Sequence, residues 1–205
     1  MNRVFLTSQA SEVLEKIVLL IPENLRKGNV LFIPTAAKPY PSAPWLEKDR
    51  AKLVELGFSV KNLDLEGITE NELNDEIAST DIIFVGGGNT FYLLEHAKKS
   101  GFIKIVQQAI KDGKIYIGSS AGSVLATPDI KYVERFDDPS IAQLEDTKAL
   151  ALVDFRILPH SGNPKYEDIQ VAVISEYQSE DSRIISVKDN EFLLKNGDLW
   201  GLGTP

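Results

Sequence analysis

The sequence predicts an α/β fold: a doubly wound, mainly parallel sheet with helices on both faces. Short runs rich in β-branched residues alternate with longer amphipathic stretches, the pattern of βαβ units. Two glycine-rich turns, at 86–88 and 118–122, each follow a buried strand and open a helix, as turns at the carboxyl edge of such a sheet do. With 205 residues, 43% hydrophobic and 25% charged, the chain has the size and composition of one domain with a substantial core.

Val4 to Thr7 reads as the first strand and Ser11 to Arg26 as the first helix. Val30 to Ile33 is a second strand, and the three prolines of Pro34 to Pro41 predict an extended, non-helical loop after it. A helix from Pro44 to Leu56 leads to a third strand, Phe58 to Leu65. Thr69 and Glu72 have the spacing of a capping box, so a short helix runs to Ala78, and Asp81 to Val85 is the fourth strand. Thr90 to Lys99 and Gly101 to Lys111 read as two helices, followed by a strand from Lys114 to Ile117. Thr127 to Thr147, rich in Asp and Pro, reads as irregular structure beside the sheet's carboxyl edge. Phe155 to Leu158 is a strand, Pro164 to Ser175 a helix, and Arg183 to Val187, Glu191 to Leu194 and Asp198 to Trp200 are short strands. The last two are joined by a Lys195-Asn196-Gly197 turn.

Composition removes several function classes. There is no cysteine, so disulfides, zinc-thiolate centres and cysteine nucleophiles are excluded, and with two histidines a histidine-rich metal site is disfavoured. Thirty acidic residues against twenty-two basic ones give a net charge of −8, the wrong sign for tracking a phosphate backbone. No apolar run is long enough to span a bilayer and the amino terminus has no leader pattern, so a cytoplasmic protein is expected.

Gly118-Ser119-Ser120-Ala121-Gly122 matches G-x-S-x-G between a strand and an incipient helix, the context of a nucleophile elbow. Small flanking residues let the chain turn so tightly that the hydroxyl projects from the sheet. Ser120 is therefore the candidate nucleophile; Ser119 and Ser123 lack the symmetric glycines. Gly86-Gly87-Gly88-Asn89-Thr90 would place backbone N–H groups at a helix start on the same edge, able to donate to a developing oxyanion. A nucleotide phosphate could use such a loop, but neither G-x-G-x-x-G nor G-x-x-x-x-G-K-[ST] is present.

A serine hydroxyl needs a base. His96 sits on the polar side of an amphipathic helix and reads as a surface residue, whereas His160 follows the apolar strand ending at Leu158 and so emerges at a strand's carboxyl end. The orienting carboxylate is sought between nucleophile and base, where Asp129, Glu134, Asp137 and Asp138 stand.

Phe84-Val85-Gly86-Gly87-Gly88-Asn89-Thr90-Phe91, Gly118-Ser119-Ser120-Ala121-Gly122 and Leu158-Pro159-His160, in this order and spacing, resemble the aspartyl dipeptidase (peptidase E) family of serine peptidases, whose relatives include cyanophycinase. The resemblance implies a fold like that of class I glutamine amidotransferases, Ser120 as nucleophile, His160 as base, and the Gly88 and Ala121 N–H groups as the oxyanion hole. Counting back from the histidine, the family's acid falls on Asp138, with Glu134 the alternative. It further implies a small acidic peptide as substrate, an N-terminal aspartate above all, with Arg135, Lys131, Lys165 or Lys38 as the cation for its side chain. No metal or cofactor, no nucleic acid and no membrane partner is expected, and the chain is expected as monomer or homodimer. An esterase or isopeptide hydrolase with the same triad, or a non-catalytic small-molecule-binding module, is the alternative.

Overall fold

A computed structural model describes residues 3–178 and 183–204. The central sheet has seven strands. Five are parallel: β1 (Arg3–Thr7), β2 (Asn29–Ile33), β3 (Ser59–Asn62), β4 (Ile82–Val85) and β5 (Ile115–Ser119). Two more strands, β6 (Arg156–Leu158) and β7 (Ile184–Ser186), form a separate parallel pair. The last two, β8 (Phe192–Asn196) and β9 (Leu199–Gly203), extend the main sheet antiparallel beside β1, giving the order β3-β2-β4-β5-β1-β8-β9.

Both faces of the sheet are buried, so the alternation along each strand sorts apolar side chains between two cores. Phe5, Val30, Phe32, Ile82, Phe84, Ile115 and Ile117 point to one face, packed under helices α1 (Leu14–Leu20) and α2 (Pro44–Glu55). Val4, Leu6, Leu31, Ile33, Ile83, Val85 and Tyr116 point to the other. That face is covered by α3 (Glu70–Ala78), α4 (Thr90–Lys99), α5 (Phe102–Lys111) and α6 (Ala121–Leu125), with α7 (Glu167–Tyr177) adding Val173. The fold class is the one the sequence predicts.

Local departures have local causes. The expected helix from Ser11 to Arg26 is broken into a 3₁₀ turn, α1 and a second 3₁₀ turn at Glu23–Leu25, because Pro22 cannot donate and holds Ile21 at ψ 142°. The proline loop is not wholly extended: Thr35–Ala37 makes a 3₁₀ turn, and this turn supports the site described below. Strand β3 is shorter than expected because it lies at the sheet edge and pairs only with Asn29 to Phe32. Lys195 and Asn196 belong to β8, and the hairpin turns at Gly197-Asp198, with Gly197 at φ +63°. Thr69 forms both halves of the capping box with Glu72. His96 is buried rather than exposed, its ring 4.4 Å from that of Tyr92.

The strand before His160 is not in the main sheet at all. Instead β6 and β7 stand beside it, and Ser8, just beyond β1, joins the two: its hydroxyl donates to Val187 O at 2.7 Å and accepts from His160 N at 3.0 Å. The Tyr132 hydroxyl, fully buried, holds β6 from the other side by donating to Ile157 O.

Candidate active site

Adjacent parallel strands β4 and β5 end in the two glycine-rich turns. At the end of β5 the chain reverses so sharply that Ser120 lies at φ +49°, ψ −108°, a conformation costly for any residue with a Cβ. The turn survives because its neighbours are glycines. A Cβ on Gly118 would stand 2.6 Å from the Gly122 carbonyl carbon, and one on Gly122 would stand 2.0 Å from Val85 O. Ser120 N donates to Thr7 O at 2.9 Å, fixing the turn to β1. Beneath it, Ser123 is an internal brace: its hydroxyl accepts from Thr7 N and lies within bonding distance of the Thr7 and Gly118 carbonyls.

The β4 turn is held as firmly. Gly88 has φ +148°, and a Cβ there would collide with Ala36 O at 2.1 Å. Asn89 N donates to that same carbonyl at 2.7 Å, and the Asn89 side chain caps α4 by accepting from Tyr92 N. Gly88 and Ala121 both line the cavity that Ser120 opens into, and the N–H of neither is engaged in a hydrogen bond among the described residues.

Ser120 Oγ lies 3.0 Å from His160 Nε2, and His160 Nδ1 lies 2.6 Å from Asp189 Oδ1. The register explains the meeting. Leu158 of β6 pairs with Ser186 of β7, so His160, two residues past the first, and Asp189, three past the second, leave neighbouring strands at the same end. His160 takes φ +63°, and its ring stacks on Tyr166 with centroids 5.3 Å apart. Gln170 secures the preceding turn by donating to Pro159 O.

The carboxylate against His160 is therefore neither of those expected. Asp138 is turned away, its Oδ1 accepting from Ser140 N at 2.9 Å, which holds its carboxyl below the usual range. Glu134 is exposed and accepts from the Tyr177 hydroxyl. Asp129 pairs with Arg156 at 2.7 Å, and Asp137 bonds to Thr90. Asp189 lies beyond the segment between Ser120 and His160 where the sequence places the acid. The hydrogen-bonded residues follow one another along the chain as Ser120, His160, Asp189, and the available signal was the strand at 183–187 followed by the Lys188-Asp189-Asn190 turn.

The cavity around Ser120 and His160 measures about 790 Å³ and is walled by Tyr40, Trp45, Val133, Phe136 and Tyr166. Trp45 Nε1 donates to Gly87 O at 3.1 Å, tying α2 to the glycine turn. Of the cations expected for an acidic side chain, Lys165 lines the cavity, its Nζ 4.9 Å over the Tyr166 ring, and Lys48, not anticipated, lines it too. Arg135 is paired with Glu176, Lys38 with Asp64 and Glu66, and Lys131 does not line the cavity. Asp49 and Asp137 also line the cavity. Asp49, buried behind the elbow, accepts from Ser11 N at 2.8 Å; burial pushes its carboxyl up to about 6, although its bonds to Ser119 and Ser11 pull the other way. Burial also raises Asp137, against the opposing pull of its bonds to Thr90.

Residues 4–201 match the profile described as Peptidase family S51. The chain belongs to peptidase family S51. This S51 chain is 34% identical over 198 residues, 96% of either protein, to the uncharacterized peptidase Lmo0363 of Listeria monocytogenes serovar 1/2a. It is also 34% identical over 154 residues to peptidase E of Shigella flexneri, covering 73% of this chain and 63% of that one. A crystal structure from Listeria monocytogenes, provisionally described as a peptidase E, superposes with a TM-score of 0.93 at 33% identity, over 100% of this chain and 99% of the other. A peptidase from an acI-B1 actinobacterium shares the fold at a TM-score of 0.73 and 17% identity, over 100% of this chain and 88% of that one. The S51 chain is thus a serine-type peptidase. Among its described residues, no helix is long and apolar enough to cross a membrane.

Proposed function

We propose that this S51 peptidase hydrolyses small peptides bearing an N-terminal aspartate, dipeptides foremost, through a Ser120–His160–Asp189 relay and an acyl-enzyme. The observation that carries the reading is the continuous hydrogen-bonded chain from Ser120 Oγ through both ring nitrogens of His160 to Asp189, set on a strained elbow at the cavity wall.

Asp189 accepts the Nδ1–H of His160 and so leaves Nε2 as the acceptor for the serine proton. As Oγ attacks the peptide carbonyl carbon, its proton passes to Nε2 and the carbonyl π electrons move onto oxygen. The oxyanion is received by the N–H groups of Gly88 and Ala121, which are rigid because their turns are over-determined, so little reorganisation is needed when charge develops. Collapse of the tetrahedral species breaks the C–N bond, and the imidazolium returns the proton to the departing amine. Water repeats the sequence on the ester and frees the acid and Ser120. Lys165, at the cavity rim, supports recognition of an aspartyl side chain, a charge-assisted contact in a protein otherwise acidic.

The test is the hydrolysis of Asp-Leu by wild type and Ser120→Ala, in the presence of chelator. The expected result is turnover by wild type and a loss of about 10³-fold or more in the variant. Wild type inert on Asp-Leu but active on an activated ester would overturn the aspartyl-peptide reading and favour an esterase. Equal turnover by both proteins would remove Ser120 from the chemistry.

A further inference from the structure

The two edges of the main sheet are guarded differently. On one edge β3 carries Lys61, exposed and ion-paired with Glu76 at 2.6 Å, a charge of the kind that keeps a free strand from pairing with another chain. On the other, β9 has no charged residue, and no strand lies beyond it among the described residues. Its large side chains face water: Leu199 is 79% exposed, Trp200 43% and Leu202 50%. Leu20 of α1, also 43% exposed, lines with them a shallow groove of about 280 Å³. Gly201 stands among these residues without a positive φ, and a Cβ there would meet nothing, so the fold of a single copy does not call for glycine at that place.

Hairpin register says which backbone groups are free. Asn196 and Leu199 flank a two-residue turn and form a hydrogen-bonded pair. Alternation therefore turns the N–H and C=O groups of Leu199, Gly201 and Gly203 toward β8, and those of Trp200 and Leu202 outward. An antiparallel partner strand centred on Gly201 sets Trp200 opposite Leu202 of a second copy, and Leu202 opposite its Trp200, so the outward groups pair reciprocally. On the other face each Leu199 falls opposite a Gly203, large against small. The same register brings Asp198 of one copy to Thr204 of the other, where Lys16 Nζ donates to Thr204 O at 3.2 Å. Among the described residues neither Asp198 nor Lys16 has an ion-pair partner within its own copy.

We infer that β9 is the contact strand of a homodimer: two copies join edge to edge about a two-fold axis at Gly201, and each Asp198 pairs with Lys16 of the other copy. The contact is isologous, so it closes at two copies and leaves no β9 edge exposed. The inference stands apart from the peptidase reading, because no residue of β8 or β9 lines the active-site cavity.

The experiment is sedimentation velocity over a wide range of protein concentration. Wild type is expected to reach twice the 22.7 kDa chain mass, and Leu202→Lys, which places a charge on the edge, to stay at the single-chain mass where wild type is dimeric. Asp198→Lys and Lys16→Asp, each setting like charges face to face, are each expected to weaken association by about tenfold or more. The two together are expected to restore it to within a few-fold of wild type, since the exchanged charges still meet. That rescue separates a lost contact from a misfolded variant. A wild type at the single-chain mass throughout overturns the inference, as does a dimer that Leu202→Lys leaves intact. A double variant as weak as either single one overturns the register on which the inference stands.

Discussion

At the residue scale, a few side chains were legible because their roles demand unusual backbone. Ser120 is read from its flanking glycines, and both glycines prove irreplaceable, each having no room for a Cβ. His160 is read from its place after an apolar strand. The carboxylate was not legible, because acidic residues at turns are common and most have other partners: Asp138 accepts from Ser140 N, Glu134 from the Tyr177 hydroxyl, and Asp129 pairs with Arg156. Only the meeting of β6 and β7 distinguishes Asp189. Asp49 shows a residue-scale effect that folding alone creates. Its carboxyl rises from an ordinary value of 3.8 to about 6 because burial disfavours the charge. The folded protein therefore keeps this proton where the unfolded chain has lost it. The contribution to stability is full below about pH 4 and is lost as pH rises through 6, amounting to about 3 kcal/mol. Asp49→Asn, which keeps an acceptor for Ser11 N, is expected to gain on wild type by up to about that amount between pH 4 and pH 7 in urea melts. A difference between the two proteins that stays constant with pH would contradict this.

At the scale of elements, sequence periodicity places the helices and the five parallel strands well, since both faces of the sheet are buried and the apolar runs are unambiguous. It misplaces β6, which the pattern cannot distinguish from a strand of the main sheet. Whether a three-residue apolar strand joins one sheet or another depends on partners distant in sequence. The consequence is that Ser120 and His160 follow strands of different sheets, and their 3.0 Å contact depends on how those sheets are fastened. Ser8 is the fastener, with one hydroxyl serving Val187 O and His160 N. Ser8→Ala leaves His160 N without its partner, while Val187 O keeps the bond it accepts from Ser161 N at 3.0 Å, and the loss costs about 1–3 kcal/mol. The variant is expected to lower kcat on Asp-Leu by at least about tenfold with a smaller change in KM, because His160 loses its backbone anchor while Tyr40, Trp45 and Phe136 of the cavity wall are unchanged. Loss of stability without loss of kcat would show that Tyr132 and Gln170 alone suffice to position the base.

At the scale of the whole molecule, the arrangement gathers Ser120 and Ala121 after β5, Gly88 after β4 and His160 after β6 at one end of the sheets, with Trp45 tying α2 to the β4 turn and Ser8 tying His160 to the end of β1. Rigid positioning of this kind lets a hydroxyl of ordinary acidity act at neutral pH. The central claim is that Asp189, rather than an acid between serine and histidine, completes the relay. Its most direct test is kcat on Asp-Leu for Asp189→Asn beside Asp138→Asn. Asp189→Asn is expected to lower kcat by about 10⁴-fold, as when the carboxylate that fixes a catalytic histidine's tautomer is neutralised, and Asp138→Asn to change it by no more than a few-fold. The reverse pattern, with Asp138→Asn inactive and Asp189→Asn near wild type, would contradict it.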